Sequence, residues 1–354
     1  MSKSSEFDLY VFISHFVPQQ KSCWGLVRDF LYPRFSIEYL RSWARLLKHG
    51  TRGNQPWKRD IMTLPREKIE PLRAEYLATA IRSIELLDVK SKNIHVYTNE
   101  NWSYSSTDKS TSIIVHQFSR YSRMNRVHNS PWKENDEDSP WGLLWEHKKT
   151  LQELAHSKIS SRNLYLILEN DILFNQANLD YWIQNRENLK SSGLIPTFLV
   201  VEYSLKRSQW VAINLHNKRS SENIELFTFK IQDNQYFQLP ELYSALFLLD
   251  HELLLEYCSS KAAGKETSRE LIWWDLGARS NMGLQFVNYP AMFKNRYSLG
   301  IDSRSTRVVG SALVHHLPNL YCSVPELDET FPSLEEISVA ISREMVEKVP
   351  QSSE

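Results

Sequence analysis

The segment Leu164-Tyr165-Leu166-Ile167-Leu168 is the most continuously apolar strand-like run in the chain, and it stops abruptly at Glu169-Asn170-Asp171. A run that is apolar on both alternating faces belongs inside a sheet covered on both sides, the position of a central parallel strand. Open α/β sheets bind their ligands at the carboxyl ends of such strands, so the acidic triplet marks the place to look for chemistry. In an extended backbone residues i and i+2 project to one side, and the Glu169 and Asp171 carboxylates are therefore expected to face one spot. Two hard oxygen ligands there suit Mg²⁺ or Mn²⁺, completed by the phosphate oxygens of a substrate. Asp and Asn also end strands and open turns for purely local reasons.

The flanking pattern supplies the rest of a layered fold. Leu9–Ile13 predicts a buried first strand leading into Ser14-His15, Ile94–Thr98 a second ending at Asn99, and Ile113–Val115 a short third. Helical spacing over Ile37–Leu47 and Leu72–Leu87 predicts two helices separated by a polar loop at Thr51–Lys58, and Arg120–Asp138 reads as a long polar loop. From Trp141 the positions Leu144, His147, Leu151 and Leu154 specify one face of an amphipathic helix with Pro140 at its start, and Leu179, Trp182 and Ile183 begin another. Beyond it Phe198–Val201, Trp210–Leu215 and Glu225–Phe229 read as strands, Leu242–Leu255 as a helix, Leu284–Val287 and Ser311–Val314 as strand-like, and the chain beyond Ser342 as polar. Strands alternating with helices over residues 1–190 predict an α/β fold with a largely parallel central sheet flanked by helices. Residues 191–335 then form a smaller mixed α/β half and 336–354 a polar C-terminal tail, with the two halves continuous as one domain.

Composition removes several alternatives. Lys and Arg together number 42 against 42 Asp and Glu, so no field of one sign draws nucleic acid or an anionic membrane surface. Only 10 of 354 residues are glycine, and neither G-x-G-x-x-G nor G-x-x-x-x-G-K-[ST] occurs, which argues against dinucleotide-binding, kinase and P-loop readings. Cys23, Cys258 and Cys322 are far apart and lack C-x-x-C pairing, as for free thiols in a reducing compartment. The short run Leu9–Ile13, flanked by Glu6 and Asp8, is no signal-peptide core, and apolar stretches such as Leu194–Val201 and Ala245–Leu249 fall far below the ~18 residues of a membrane span. A cytoplasmic protein with no transmembrane segment is expected.

A second motif, Val314-His315-His316-Leu317-Pro318-Asn319, sets two histidines after a strand-like run and before a proline turn. An imidazole added to a carboxylate site favours Mn²⁺ over a purely oxygen-seeking ion. Adjacent strand residues point to opposite faces, so at most one of His315 and His316 reaches a given site.

With these two motifs the chain resembles glycosyltransferases of the GT-A, nucleotide-diphospho-sugar transferase fold. In that group an apolar strand ends in an acidic D-x-D-like triplet that binds metal and sugar-nucleotide diphosphate, and a late histidine often completes the metal shell. Leu164–Asp171 matches the first element and His315-His316 the second, within an outline covering about residues 8–320, although Glu stands first in the triplet and Asn in its middle. The resemblance implies Asp171, Glu169 and one of His315 and His316 as metal ligands, with Glu169 orienting the donor ribose or a metal-bound water. It implies a nucleoside site near Ser14, His15 and Asn99. Lys148 and Lys149, with Arg120, Arg123 and Arg126, are then available to neutralise diphosphate charge.

For the acceptor the most informative segment is Trp273-Trp274-Asp275, preceded by Glu270: an aromatic face stacks on a sugar while a carboxylate, Glu270 or Asp275, accepts the hydroxyl proton. The expected activity is a metal-dependent transfer of a sugar, of hexosyltransferase type, from a nucleotide-diphosphate donor, UDP-sugar favoured, to a carbohydrate or other hydroxyl acceptor. The same ligand types serve metal-dependent hydrolases, although no H-x-H or H-E-x-x-H cluster occurs, and 11 tryptophans also fit a non-catalytic carbohydrate-binding protein.

Overall fold

The computed structural model describes residues 3–17, 66–119, 121, 140–157, 162–215, 224–274, 276–323 and 328–347. The expected helix over residues 37–47, the polar loop 51–58, Arg120, Arg123, Arg126, Cys23 and Asp275 lie outside the described residues.

The strand expected at the start of the chain is β1 (Asp8–His15), and its three consecutive buried residues Val11, Phe12 and Ile13 show that it is covered on both faces. Helix α1 (Arg66–Glu85) follows, then β2 (Ser91–Thr98) and β3 (Thr111–Gln117). The helix expected from Trp141 is broken in two, α2 (Pro140–Leu143) and α3 (His147–His156), with a turn between them. The apolar run is β4 (Asn163–Glu169), entirely buried until its last residue. In the first sheet β1 pairs in parallel with both β2 and β4, and β2 in parallel with β3. Its fifth strand, β11 (Leu246–Asp250), joins antiparallel to β4.

Two further sheets are built from short elements: β5 (Ile172–Leu173), β6 (Ile195–Pro196), β7 (Leu199–Ser204), β8 (Gln209–Ala212), β9 (Phe227–Ile231), β10 (Asn234–Gln238), β12 (Tyr297–Asp302), β13 (Arg307–Val308) and β14 (Leu313–His316). One runs β13-β12-β10-β9 with β6 parallel to β12, and the other runs β5-β14-β7-β8. In the latter β14 is parallel to β7 but antiparallel to β5. The chain is thus mixed α/β, but its sheets are mixed rather than largely parallel. The parallel pattern holds for β1 to β4 and is lost where strands return over short turns.

Three expected elements differ. Leu242–Leu255 is not one helix: Leu246–Asp250 is β11, and only α5 (His251–Ser259) is helical. A wholly apolar run of five residues has no period to separate strand from helix. The Asp250 carboxylate, accepting from the Leu253 N–H at 2.8 Å, marks the true start of the helix. Leu284–Val287 forms consecutive turns, with both end residues buried. Within the expected polar tail the described residues form helix α6 (Leu334–Glu347), which buries Ile337, Ala340 and Ile341 at helical spacing. Ser333 and Glu336 cap it reciprocally, at 2.7 and 3.1 Å.

Helix α4 (Gln176–Lys190) opens on an Asn175–Asn178 capping box and buries Leu179, Trp182 and Ile183. Helix α1 buries Leu77, Ala80, Ile81 and Ile84, packing against β2 and β5, while α3 packs on α5. These layers leave the carboxyl ends of β1, β2 and β4 on one side, where β5, β14 and β7 cross. Among the described residues no helix is long and apolar enough to cross a membrane.

Candidate functional site

Strand β4 ends at Glu169, and Asn170-Asp171 form a tight turn into β5, so the triplet is not extended as expected. The turn is clasped from both sides. The Asn170 amide donates to His15 Nδ1 at 2.9 Å, which ties the end of β4 to the end of β1. Asp171 in turn accepts the Leu317 N–H on its carbonyl at 2.8 Å, next to the β5–β14 pairing. Because the chain turns here, the two carboxylates diverge to different partners.

Glu169 receives the hydroxyl of Tyr243 and the Asn281 amide, the latter at 2.7 Å, and both bonds end on Oε1. Burial first, and then the nearby Asp171 charge, push its carboxyl above the usual range in spite of these donors. Two backbone features deliver the partners. Ala245 takes a left-handed φ of 54° and its carbonyl accepts the Glu169 N–H, so the chain bends sharply between Tyr243 and β11. Gly283, at φ 54°, closes the turn after Asn281, where a Cβ would lie 2.2 Å from the Tyr297 hydroxyl.

Asp171 faces His316. The two histidines are the last residues of β14 rather than a loop after it, and they point to opposite faces, as their adjacency requires. His315 turns outward against Trp210, with ring centroids 4.7 Å apart. His316 turns inward between two acids: Nδ1–H donates to Glu202 Oε1 at 2.5 Å, and Nε2 lies 3.5 Å from Asp171 Oδ2. Glu202 sits in the middle of β7 with its side chain fully buried, and its second oxygen accepts the Cys322 N–H at 2.8 Å. Burial disfavours a charged ring, but Asp171 and Glu202 overcome it and raise His316 to about 10. Asp171 moves the other way: burial works to raise it, while the His316 charge and hydrogen bond, with the Arg73 charge, hold it below the carboxylate range.

The donor set fits a divalent ion. A carboxylate that fixes one imidazole nitrogen while the other faces a second carboxylate is the usual outer support of a metal-ligating histidine. Two atoms each about 2.1 Å from one ion lie about 3.0–3.4 Å apart at octahedral to tetrahedral angles. The 3.5 Å between Nε2 and Oδ2 is close to that spacing. Asp171 Oδ1 is buried and has no hydrogen-bond partner, as an oxygen reserved for a cation would be. Among the described residues no group of three or more His, Cys, Asp or Glu side chains is placed to hold a metal ion, and Asp171 and His316 are the two candidate ligands of this array.

The other expected residues divide. Ser14 and His15 end β1 beside Glu169 and Asn170, and Asn99 follows β2. Asn99 is a backbone clasp, its amide oxygen and nitrogen each bonded to Val17 at 2.9 Å. His15 is buried and held neutral, near 3, by burial first and then by Arg73. Lys148 is buried in the core: Nζ donates to the Ser280 carbonyl at 2.8 Å and lies 4.7, 5.0 and 5.4 Å from the ring centres of Tyr257, Phe247 and Trp145. Lys149 is exposed. Glu270 is paired at the surface with Lys261. Trp273 is 81% exposed, whereas Trp274 meets Tyr243 edge-on at 6.1 Å and so backs the group that holds Glu169.

Sequence reasoning missed Glu202, Tyr243, Asn281 and Arg73. Only Glu202 carried a readable signal, a single acid closing the apolar run Leu199-Val200-Val201.

No known protein-family model matches the chain, and no curated protein matches it in sequence. The functional reading therefore rests on the site itself.

Proposed function

We propose that the protein is a metal-dependent glycosyltransferase that moves a sugar from a nucleoside-diphosphate donor, UDP-sugar favoured, to a hydroxyl acceptor. The observation that carries this reading is the Glu202–His316–Asp171 array at the carboxyl end of β4, where Nε2 and Oδ2 face each other at 3.5 Å. Asp171 and His316 are the residues that would hold Mn²⁺ or Mg²⁺, and Glu202 fixes the ring so that Nε2 would present its lone pair once the ring has lost its proton. A bound divalent ion would supply charge neutralisation for the departing diphosphate. Glu169, engaged by Tyr243 and Asn281, presents a carboxyl raised by burial and by the Asp171 charge to about 7, able to exchange a proton with a donor hydroxyl or a water. Trp274 stiffens Tyr243 from behind, and Trp273 offers an open aromatic face to the acceptor.

The test is a thermal-shift titration with UDP, GDP, UDP-glucose, UDP-galactose and GDP-mannose, each with and without Mn²⁺, followed by a transfer assay with the donor that binds. A shift that needs both nucleotide and Mn²⁺ is expected, and Asp171→Ala is expected to remove it and to lower transfer by at least about 100-fold. Wild-type protein that binds no nucleotide under any condition, or an Asp171→Ala variant that transfers at the wild-type rate, overturns the reading.

A further inference from the structure

The first sheet ends on β3, which pairs in parallel with β2 along one edge and, among the described residues, with no strand along the other. The bonds of that pair fix which backbone groups point outward. The Lys92 N–H donates to the Ser110 carbonyl at 2.9 Å and the Phe118 N–H to the Thr98 carbonyl at 2.8 Å, so the even-numbered residues of β3 bond toward β2. Ile113, Val115 and Gln117 therefore direct both N–H and C=O away from the sheet. Thr111 directs its C=O outward too, while its N–H donates to the Asp108 carbonyl at 3.1 Å.

Such an edge is a template for another strand unless a charge, a proline, shortness or a cover blunts it. The edges of the other two sheets are blunted in these ways. Strands β5 and β13 have two residues each, β8 is met by the Pro332 carbonyl and by Ser333, and β9 carries Lys230 and lies against α6. Strand β3, Thr111-Ser112-Ile113-Ile114-Val115-His116-Gln117, has no Asp, Glu, Lys, Arg or Pro. Ile114 and Val115 are 42% and 36% exposed on it.

The sequence of β3 says which partner fits. Its polarity is symmetric about Ile114, with two polar residues, three apolar ones and two polar ones. An antiparallel copy centred there sets Ile113 against Val115, Ser112 against His116 and Thr111 against Gln117. The outward groups of Ile113 then meet those of Val115, and apolar side chains meet apolar ones on a common face. Centring the pair on Ile113 or Val115 would instead set Thr111 against Val115 or Ile113 against Gln117. A shift of the centre by half a residue would oppose outward groups to inward ones.

We infer that β3 is a self-association edge, on which a second copy of this chain pairs antiparallel about a two-fold axis at Ile114 and joins the two five-stranded sheets into one. Seven residues a side are fewer than the roughly 20–30 of a stable interface, so the dimer forms with rising concentration. Antiparallel pairing leaves the two Asp171–His316 arrays at opposite ends of the joined sheet, and the dimer is independent of the transferase reading.

The test is sedimentation velocity of the full-length protein over about a hundred-fold range of concentration, for wild type, Val115→Pro and Val115→Lys. Val115→Pro removes an outward N–H and no bond to β2, so its melting temperature should stay near that of wild type while association weakens at least about ten-fold. Val115→Lys keeps the N–H, places a charge on the paired face and should weaken association as well, which decides the matter if the proline variant does not fold. Register is read by oxidation. Ile114 bonds toward β2, so it meets its own copy as a non-hydrogen-bonded pair with Cα atoms about 4.5 Å apart, within disulfide reach. Ile114→Cys should give a reducible linked dimer, whereas Ser112→Cys, opposite His116, should link no more than wild type. A wild type that is monomeric at every concentration overturns the inference, and slow exchange of its Ile113 and Val115 amides would then assign the cover to another segment of the same chain. A dimer that both Val115 variants leave intact uses a different surface and also overturns it, as does Ser112→Cys linking as readily as Ile114→Cys.

Discussion

His316 and Lys148 are both buried and both able to carry positive charge, yet the protein treats them in opposite ways. His316 lies between Asp171 and Glu202 and is raised to about 10, so a residue ordinarily near neutrality is charged at pH 7. Lys148 meets three aromatic rings and one carbonyl, and burial pushes it well below the ordinary lysine range, so a residue ordinarily charged is driven toward the neutral amine. His147, the preceding residue, is likewise buried and held neutral, with neither ring nitrogen hydrogen-bonded. The difference separates a place prepared for ions from a place prepared against them. Carboxylates gather where β4, β7 and β14 meet, and rings gather where α3 packs on α5.

The largest expected effect breaks the charged side of this comparison. His316→Leu removes the one cation between two acids and leaves Glu202, whose side chain is fully buried, with the Cys322 N–H as its remaining partner. Breaking a buried pair from one side costs about 3–5 kcal/mol, because the stranded charge dominates. Urea denaturation should show that loss at pH 7. A change below about 1 kcal/mol would mean that His316 is neutral in the folded protein and that Glu202 is protonated.

Much of this was legible in the sequence, and the remainder was not for definite reasons. Leu164–Leu168 and Leu9–Ile13 were readable because strands buried on both faces leave uninterrupted apolar runs, and Asp171 and His316 were readable because each ends such a run. The divergence of Glu169 from Asp171 was not, because it depends on a turn at Asn170 held by His15, 155 residues away. Tyr243 and Asn281 reach Glu169 across 74 and 112 residues, a closure that no local spacing encodes. Lys148 misled because a lysine next to the apolar stripe of Leu144, His147 and Leu151 reads as free to meet a phosphate, whereas it is buried together with His147. The Ser333–Glu336 capping box was in plain view, and it marks the start of a helix that runs into the segment expected as a polar tail.

Acid titration sharpens the comparison with a smaller effect. His15 and His95 are lowered to about 3 and about 4, chiefly by burial, from an unfolded value of 6.5. A depressed value means that the unfolded chain takes up the proton first, so each ring's contribution is fully present above pH 6.5 and is lost as pH falls toward its folded value. By pH 5 the loss is about 2 kcal/mol per ring. His316 has the opposite sign: its contribution is complete below pH 6.5 and is lost only as pH rises toward about 10. Stability measured from pH 8 to pH 4 should therefore fall on the acid side, and replacing His95 with Phe should reduce the fall, since Phe12 already stacks there at 5.2 Å. An acid limb unchanged by that substitution would mean that His95 is charged in the folded state.

The smallest expected effect is on the other member of the pair. Lys148→Met keeps most of the side-chain length and the contact with Tyr257, Phe247 and Trp145, and it removes a group whose protonation the site resists. Two terms oppose each other. The Ser280 carbonyl loses its 2.8 Å donor, which costs about 1–2 kcal/mol, while an apolar replacement no longer has to desolvate an amine, which offsets a similar amount. The net change should be within about 1 kcal/mol of wild type in either direction, with the pH dependence between 7 and 9 flattened because a group that titrates differently in the folded and unfolded chain is gone. A loss of about 3 kcal/mol or more would instead mean that the cage holds an ammonium, stabilised by the three rings strongly enough to outweigh its burial. In that case α3 and the β4 turn would both be cation sites, one built from ring faces and one from carboxylates, and the contrast between them would lie in the ligand chemistry and not in the charge.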